Sequence, residues 1–258
     1  MTKEKGLTRD IIIQTLVNAL RPLDYIHAFY EGGAIAFNRV DEWSDIDLYL
    51  VVDDKKVDEA FLAVEKTLKS LSPIKQKYAV PQLPWPGVSQ AFYKLENASE
   101  YLIIDLAVLK LSSPEKFYFN KSDKMTYSPF DKEIMVRKLH ERLERLQTRF
   151  DMFNSFVQKE VNRGNYLEAI DLYYGLILSP LVEALRIKYN PIHHDFRMRY
   201  VHYELPSEIT EKLEQFYFVL DKEDLQEKYH EAIKWFQEII SEFKKDGRTK
   251  LIHALANS

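Results

Sequence analysis

Residues 45–52, DIDLYLVV, alternate in character: Ile46, Leu48, Leu50 and Val52 fall on one side, and Asp45, Asp47, Tyr49 and Val51 on the other. That two-residue period predicts a β-strand with one face buried. An apolar run over residues 25–30 predicts an earlier strand, closed by Gly32-Gly33. Ahead of it, Thr8-Arg9-Asp10 reads as a helix start before residues 11–20, with threonine to cap the first N–H groups and Arg21-Pro22 to end the helix. Residues 57–70 carry apolar positions at 57, 61, 64 and 68, the stripe of a helix lying on a sheet. The stretch 73–87, with Pro73, Pro81, Pro84 and Pro86, predicts an extended loop, with Trp85 on a rim where it could stack on a ligand or simply pack. Residues 88–95 and 101–111 predict a hairpin across the polar turn 96–99.

After residue 131 the period changes. Val136, Leu139, Leu143, Leu146, Phe150, Phe153 and Val157 recur at helical spacing and predict one long amphipathic helix, stopped at Arg163-Gly164-Asn165. Residues 166–189 predict a second helix, kinked or broken at Pro180, which has no N–H to give. Residues 206–220 and 221–243 predict two more, and the tail either a short last helix or a frayed end. Helices of this kind pack as a bundle. The aperiodic stretch 120–130 predicts a linker, following a short helix begun at Ser112-Ser113-Pro114-Glu115. The reading is an α+β protein of two domains, 1–127 with strands and helices and 128–258 as a helical bundle.

A chain of 258 residues accommodates those two modest domains. Its formal charge of −4 argues against general nucleic-acid binding, which needs a basic surface. It has no cysteine, which removes disulfides and thiolate metal sites. The N-terminus lacks the apolar core of a secretory signal, and no apolar run reaches the ~20 residues that cross a bilayer. The expectation is a soluble, cytoplasmic protein.

The candidate chemistry sits in the first half. On a strand, Asp45 and Asp47 share a face with Cα atoms roughly 6–7 Å apart. Two such like charges repel unless a cation lies between them, and oxygen-rich pairs suit Mg²⁺ or Mn²⁺. Gly32 and Gly33, without Cβ atoms, either let the backbone approach a ligand or make a tight turn. Arg39, in the connector, could meet a phosphate oxygen or face solvent. Asp105 is the one acid in the run YLIIDLAVLK, and a buried carboxylate there needs a proton, a basic partner or a metal. The segment 190–206 gathers His193, His194, Arg197, Arg199, Tyr200, His202 and Tyr203. Adjacent histidines make a poor zinc site, which leaves either a surface connection or a phosphate-holding patch that faces the acidic strand.

Gly32-Gly33, the spacer 34–44 and Asp45-Ile46-Asp47 together resemble the nucleotidyltransferase superfamily of DNA polymerase beta, and within it the aminoglycoside- and lincosamide-type enzymes that modify small molecules. The chain departs from many members at Gly33, where they carry serine, and at Ala36-Phe37, where they carry a further glycine. The resemblance implies a mixed sheet flanked by helices, followed by the bundle. It implies transfer of a nucleoside monophosphate from ATP or another nucleoside triphosphate to a hydroxyl of a small molecule, releasing pyrophosphate. It implies Asp45, Asp47 and Asp105 as metal ligands and catalytic residues, Gly32 and Gly33 at the nucleotide, where Arg39 of the connector would join them, and an acceptor bound between sheet and bundle. A homodimer, a protein acceptor, and a silent nucleotide-binding or interaction module of the same fold stay open as alternatives.

Overall fold

The first apolar run folds as β1 (Ile26–Glu31) and the alternating run as β2 (Ile46–Val52). The computed structural model that shows this describes residues 7–114 and 132–257. The chain divides into two compact units, Met1–Thr126 and Tyr127–Ser258, and the architecture is α+β.

In the first unit, Thr8 caps α1 (Arg9–Leu20) by accepting a hydrogen bond from the Ile11 N–H. Next come α2 (Val57–Leu71), β3 (Ile74–Ala79), β4 (Val88–Leu95) and β5 (Ile104–Lys110). The five strands form one mixed sheet in the order β1-β2-β5-β4-β3. Only β2 and β5 run parallel; the other neighbours are antiparallel. Ile46, Leu48, Leu50 and Val52 are buried with Ile104, Leu106 and Val108 against Ile12, Leu16 and Leu20 of α1 and Ala60, Val64 and Leu68 of α2. Each such side chain contributes about 1.5–3 kcal/mol through its removal from water. That burial sets the register, because a slip of one residue would carry Asp47 of β2 into the core. The other face holds a smaller cluster of Val51, Ala107 and Leu109 with Tyr30 and Tyr49, whose rings stack at 5.0 Å.

The stretch 73–87 is a loop only in its second part. Its first part is β3, an edge strand reading IKQKYA, exposed from Lys75 to Ala79. The loop that follows is tied to the far end of β5: the Ser113 hydroxyl donates to the Pro86 carbonyl, and Lys110 N–H to that of Gly87. Trp85 is therefore at the opposite end of β5 from Asp105, about 20 Å away along the strand.

The second unit is helical. The expected single helix is two, α3 (Lys132–Phe153) and α4 (Ser155–Arg163), interrupted at Asn154 and closed by Gly164 at φ 78°. Residues 166–189 form α5 (Tyr166–Leu172), a π-helical stretch (Tyr173–Leu178) and α6 (Ser179–Tyr189). The missing N–H of Pro180 is absorbed by this shift of register, with Ser179 N–H donating to the Tyr174 carbonyl. The short α7 (Val201–Glu204), α8 (Ser207–Tyr217) and α9 (Lys222–Asn257) follow, α9 bending at Asp246. Tyr173, Ile177 and Leu181 pack in one core with Leu139, Leu143, Phe236 and Ile240. No helix among the described residues is long and apolar enough to cross a membrane. The expected linker 120–130, and Glu115 of the expected short helix, lie outside the described residues.

Candidate active site

Parallel pairing of β2 with β5 brings Asp47 and Asp105 directly opposite each other. Neighbouring strands lie about 4.8 Å apart, so these two carboxylates share one end of one face. Asp45 stands just before β2 rather than opening it. Its Oδ1 accepts the Ile103 N–H at 3.2 Å, which ties it to the segment entering β5.

Asp105 is half-buried. Burial pushes its carboxyl above the ordinary aspartate value; a 2.7 Å hydrogen bond from the Gln90 amide opposes this, and the charges of Asp47 and Asp45 push it further up. Gln90, on β4, has no counterpart in the sequence reading.

The glycine pair has a specific reason to lack side chains. Gly33 sits at φ 65°, and a Cβ on it would lie 1.6 Å from the Asp47 Oδ2. A Cβ on Gly32 would lie 2.7 Å from the Tyr49 ring. The space the glycines leave is thus taken by Asp47 and Tyr49. The Gly32 N–H is committed as well, donating to the Asp47 carbonyl at 2.9 Å. The short helix after the pair is a single 3-10 turn, Gly33–Phe37, ended by Asn38 in the left-handed region. Arg39 lies beyond it with its guanidinium 5.5 Å over the Phe37 ring. Gly33→Ala is expected to destabilise the first unit by at least about 1–2 kcal/mol from the backbone conformation alone. It should also unseat Asp47, and lower resistance to urea is the measurement that checks this.

Arg9 joins this cluster from α1. Its guanidinium pairs with Glu31 at the end of β1 and donates to the Asp45 carbonyl. Burial pulls its pKa down, and the charge of Asp47 is the largest influence pushing it back up. In the sequence Arg9 stands out only as part of a helix start. An acidic strand needs a nearby cation, but nothing in the local pattern points to one from 36 residues upstream.

Asp45, Asp47 and Asp105 offer carboxylate oxygens at this end of the sheet, the donors that hard divalent cations take. Among the described residues no three His, Cys, Asp or Glu side chains are gathered closely enough to cage an ion unaided. Asp47 and Asp105 stand in register as a pair, and the hydrogen bonds of Asp45 and Asp105 each use one carboxylate oxygen.

In the second unit, His193 and His194 do not act together. His193 Nδ1 meets Glu204 at 2.9 Å, and His194 Nδ1 meets the Pro191 carbonyl at 3.1 Å. Arg197 and Arg199 are exposed.

No protein-family profile matches the chain, and no curated protein matches it. Among solved structures it is similar to an aminoglycoside 6-adenyltransferase from Bacillus subtilis, at 13% identity and TM-score 0.39, over 97% of this chain and 92% of that one. It is also similar to an H. pylori protein described as a candidate nucleotidyltransferase, at 12% identity and TM-score 0.30, over 94% of this chain and 98% of that one. Likeness this distant carries no chemistry, which rests on the residues themselves.

Proposed function

We propose that the chain is a divalent-metal-dependent nucleotidyltransferase that moves a nucleoside monophosphate, from ATP or another nucleoside triphosphate, to a hydroxyl of a small molecule. The observation that carries this reading is the Asp47–Asp105 pair on parallel strands, with Gly33 cleared for the Asp47 carboxylate. Asp47 and Asp105 would hold the ion together with phosphate oxygens of the nucleotide, and Asp45, tied to the Ile103 N–H, would add its charge from beside them. Bound there, Mg²⁺ or Mn²⁺ would offset the charge of the triphosphate and of the oxygens entering and leaving phosphorus. The acceptor oxygen attacks the α-phosphorus, the bond from that phosphorus to the β-phosphate oxygen breaks, and pyrophosphate leaves with the bonding electrons. Asp105 takes the proton of the attacking hydroxyl. Arg9 keeps the carboxylates compatible before the nucleotide arrives, its own charge balanced by Glu31. Arg39 would reach a phosphate oxygen by leaving the Phe37 ring.

The test is labelled ATP with Mg²⁺ and a panel of hydroxyl-bearing acceptors, followed by pyrophosphate release. Asp45→Asn is expected to lower transfer about 10²-fold or more, the scale on which one preorganised electrostatic contact acts. Transfer by this variant at the wild-type rate would remove Asp45 from the site.

One observation favours a second reading, a nucleotide-binding module without turnover: the Gly32 N–H and one Asp45 oxygen are already engaged inside the protein. Tight MgATP binding with no pyrophosphate across the panel would select it. Labelled adducts on proteins of a lysate would instead select a protein acceptor.

A further inference from the structure

Beside the carboxylates stand two large aromatic side chains that the fold leaves in water. Trp43 is 60% exposed and Tyr101 is 56% exposed. They touch only edge to face, with centroids 5.1 Å apart and planes at 75°. An edge contact of two rings this exposed leaves most of their combined surface open to a ligand and forgoes the burial that normally holds such rings in a core.

Both rings are held out by built loops. The Asp41 carboxylate accepts from the Trp43 N–H at 3.0 Å and from the Ser44 hydroxyl at 2.8 Å, and the Asp41 N–H donates to Ser44 Oγ at 2.9 Å. Tyr101 N–H donates to the Ser99 hydroxyl at 3.3 Å, and Leu102 N–H to the Ser99 carbonyl at 3.0 Å. The two loops are joined by the Asp45 carboxylate on the Ile103 N–H and by Ile46 N–H on the Ile103 carbonyl. Each ring is two residues from that junction, at most about 7 Å along the chain. The pair is thereby fixed relative to Asp45 and to the strands that carry Asp47 and Asp105.

Charge decides which part of a nucleotide suits this ledge. Asp41 and Glu42 flank Trp43 and are exposed. They disfavour a phosphate there and leave a neutral ring unopposed. We infer that Trp43 and Tyr101 form the stacking platform for the nucleobase of the triphosphate. This rests on the transferase reading and adds to it a base subsite at the start of β2 and β5. Stacking is tolerant of base identity, because every base offers a π-face. The platform therefore accepts ATP and GTP with similar affinity.

Two probes separate the base from the phosphates: MgATP, and magnesium tripolyphosphate, which has no base. Both are titrated calorimetrically into the full chain and into Trp43→Ala, Trp43→Phe and Tyr101→Ala, with thermal unfolding to show that each variant is folded. Trp43→Ala is expected to weaken MgATP about tenfold, within the range of one base–aromatic stack, and to leave tripolyphosphate unchanged. Trp43→Phe should retain most of the affinity, and Tyr101→Ala should lose part of it. Unchanged MgATP affinity in both alanine variants, or an equal loss for both probes, overturns the platform while the carboxylate site stands. If the wild-type chain binds neither probe, the transferase reading falls and the platform falls with it.

Discussion

Asp105→Asn is expected to lower nucleotidyl transfer about 10²- to 10⁴-fold, the range for loss of a general base, while raising the unfolding temperature of the metal-free protein at neutral pH. Asparagine keeps an acceptor oxygen where Gln90 donates at 2.7 Å, so the packing of β4 on β5 is retained. What disappears is a charge that burial, and then Asp47 and Asp45, make unfavourable. The sign follows from the raised pKa. Below its unfolded value Asp105 is protonated in both states and costs nothing. As pH rises through the folded value, the native state must ionise a half-buried group beside two like charges, and stability is lost. The stabilisation by asparagine should therefore appear at neutral pH and vanish in acid. Thermal melts in chelator at both pH values, beside pyrophosphate release, give the two readouts. A variant that transfers at the wild-type rate, or that melts lower at neutral pH, would remove the charged Asp105 from the centre of the site.

The parts of this site legible in the chain were those with short-range consequences. The alternation over residues 45–52 could be satisfied only by a strand with Asp47 and Tyr49 on the opposite side from Leu48 and Leu50, and that is how β2 folds. A lone acid in the apolar run of β5 had to be compensated, and parallel register with β2 puts it opposite Asp47. The spacing carried less about what lies beyond those strands. Asp45 fits the period of β2 yet sits outside it, because its carboxylate closes a junction with Ile103, 58 residues away. Arg9 reaches the acids only through the way α1 packs. β3 carries lysines at alternate positions and little apolar surface, as edge strands do, so a pattern that looks for buried faces passes over it. In the second unit the apolar spacing of residues 136–157 continues through Asn154, whose amide bonds back to the Phe150 carbonyl where the helix is interrupted.

Arg186→Met is expected to destabilise the second unit by about 3–5 kcal/mol, the cost of breaking a buried ion pair by removing one partner. Arg186 is fully buried on α6, between Leu185 and Ile187. It pairs with Glu204 at 2.6 Å and donates to the carbonyls of Arg197 at 2.6 Å, His193 at 3.3 Å and Arg199. Its planar fork of donors thus gathers the turns of residues 190–206 through their backbone, which explains how Arg197 and Tyr200 are held at positive φ. Methionine fills much of the volume but removes the 2.6 Å partner of the Glu204 carboxylate, which is 2% exposed, and the Arg186 donor to three carbonyls. Arg186→Met with Glu204→Gln should recover part of the loss, because the stranded charge is then gone. Urea unfolding followed through Trp235, in a Trp43→Phe, Trp85→Phe background, reports the second unit alone. A loss below about 1 kcal/mol, the value of an exposed pair, would show that the 190–206 segment is held by its own turns and not by Arg186.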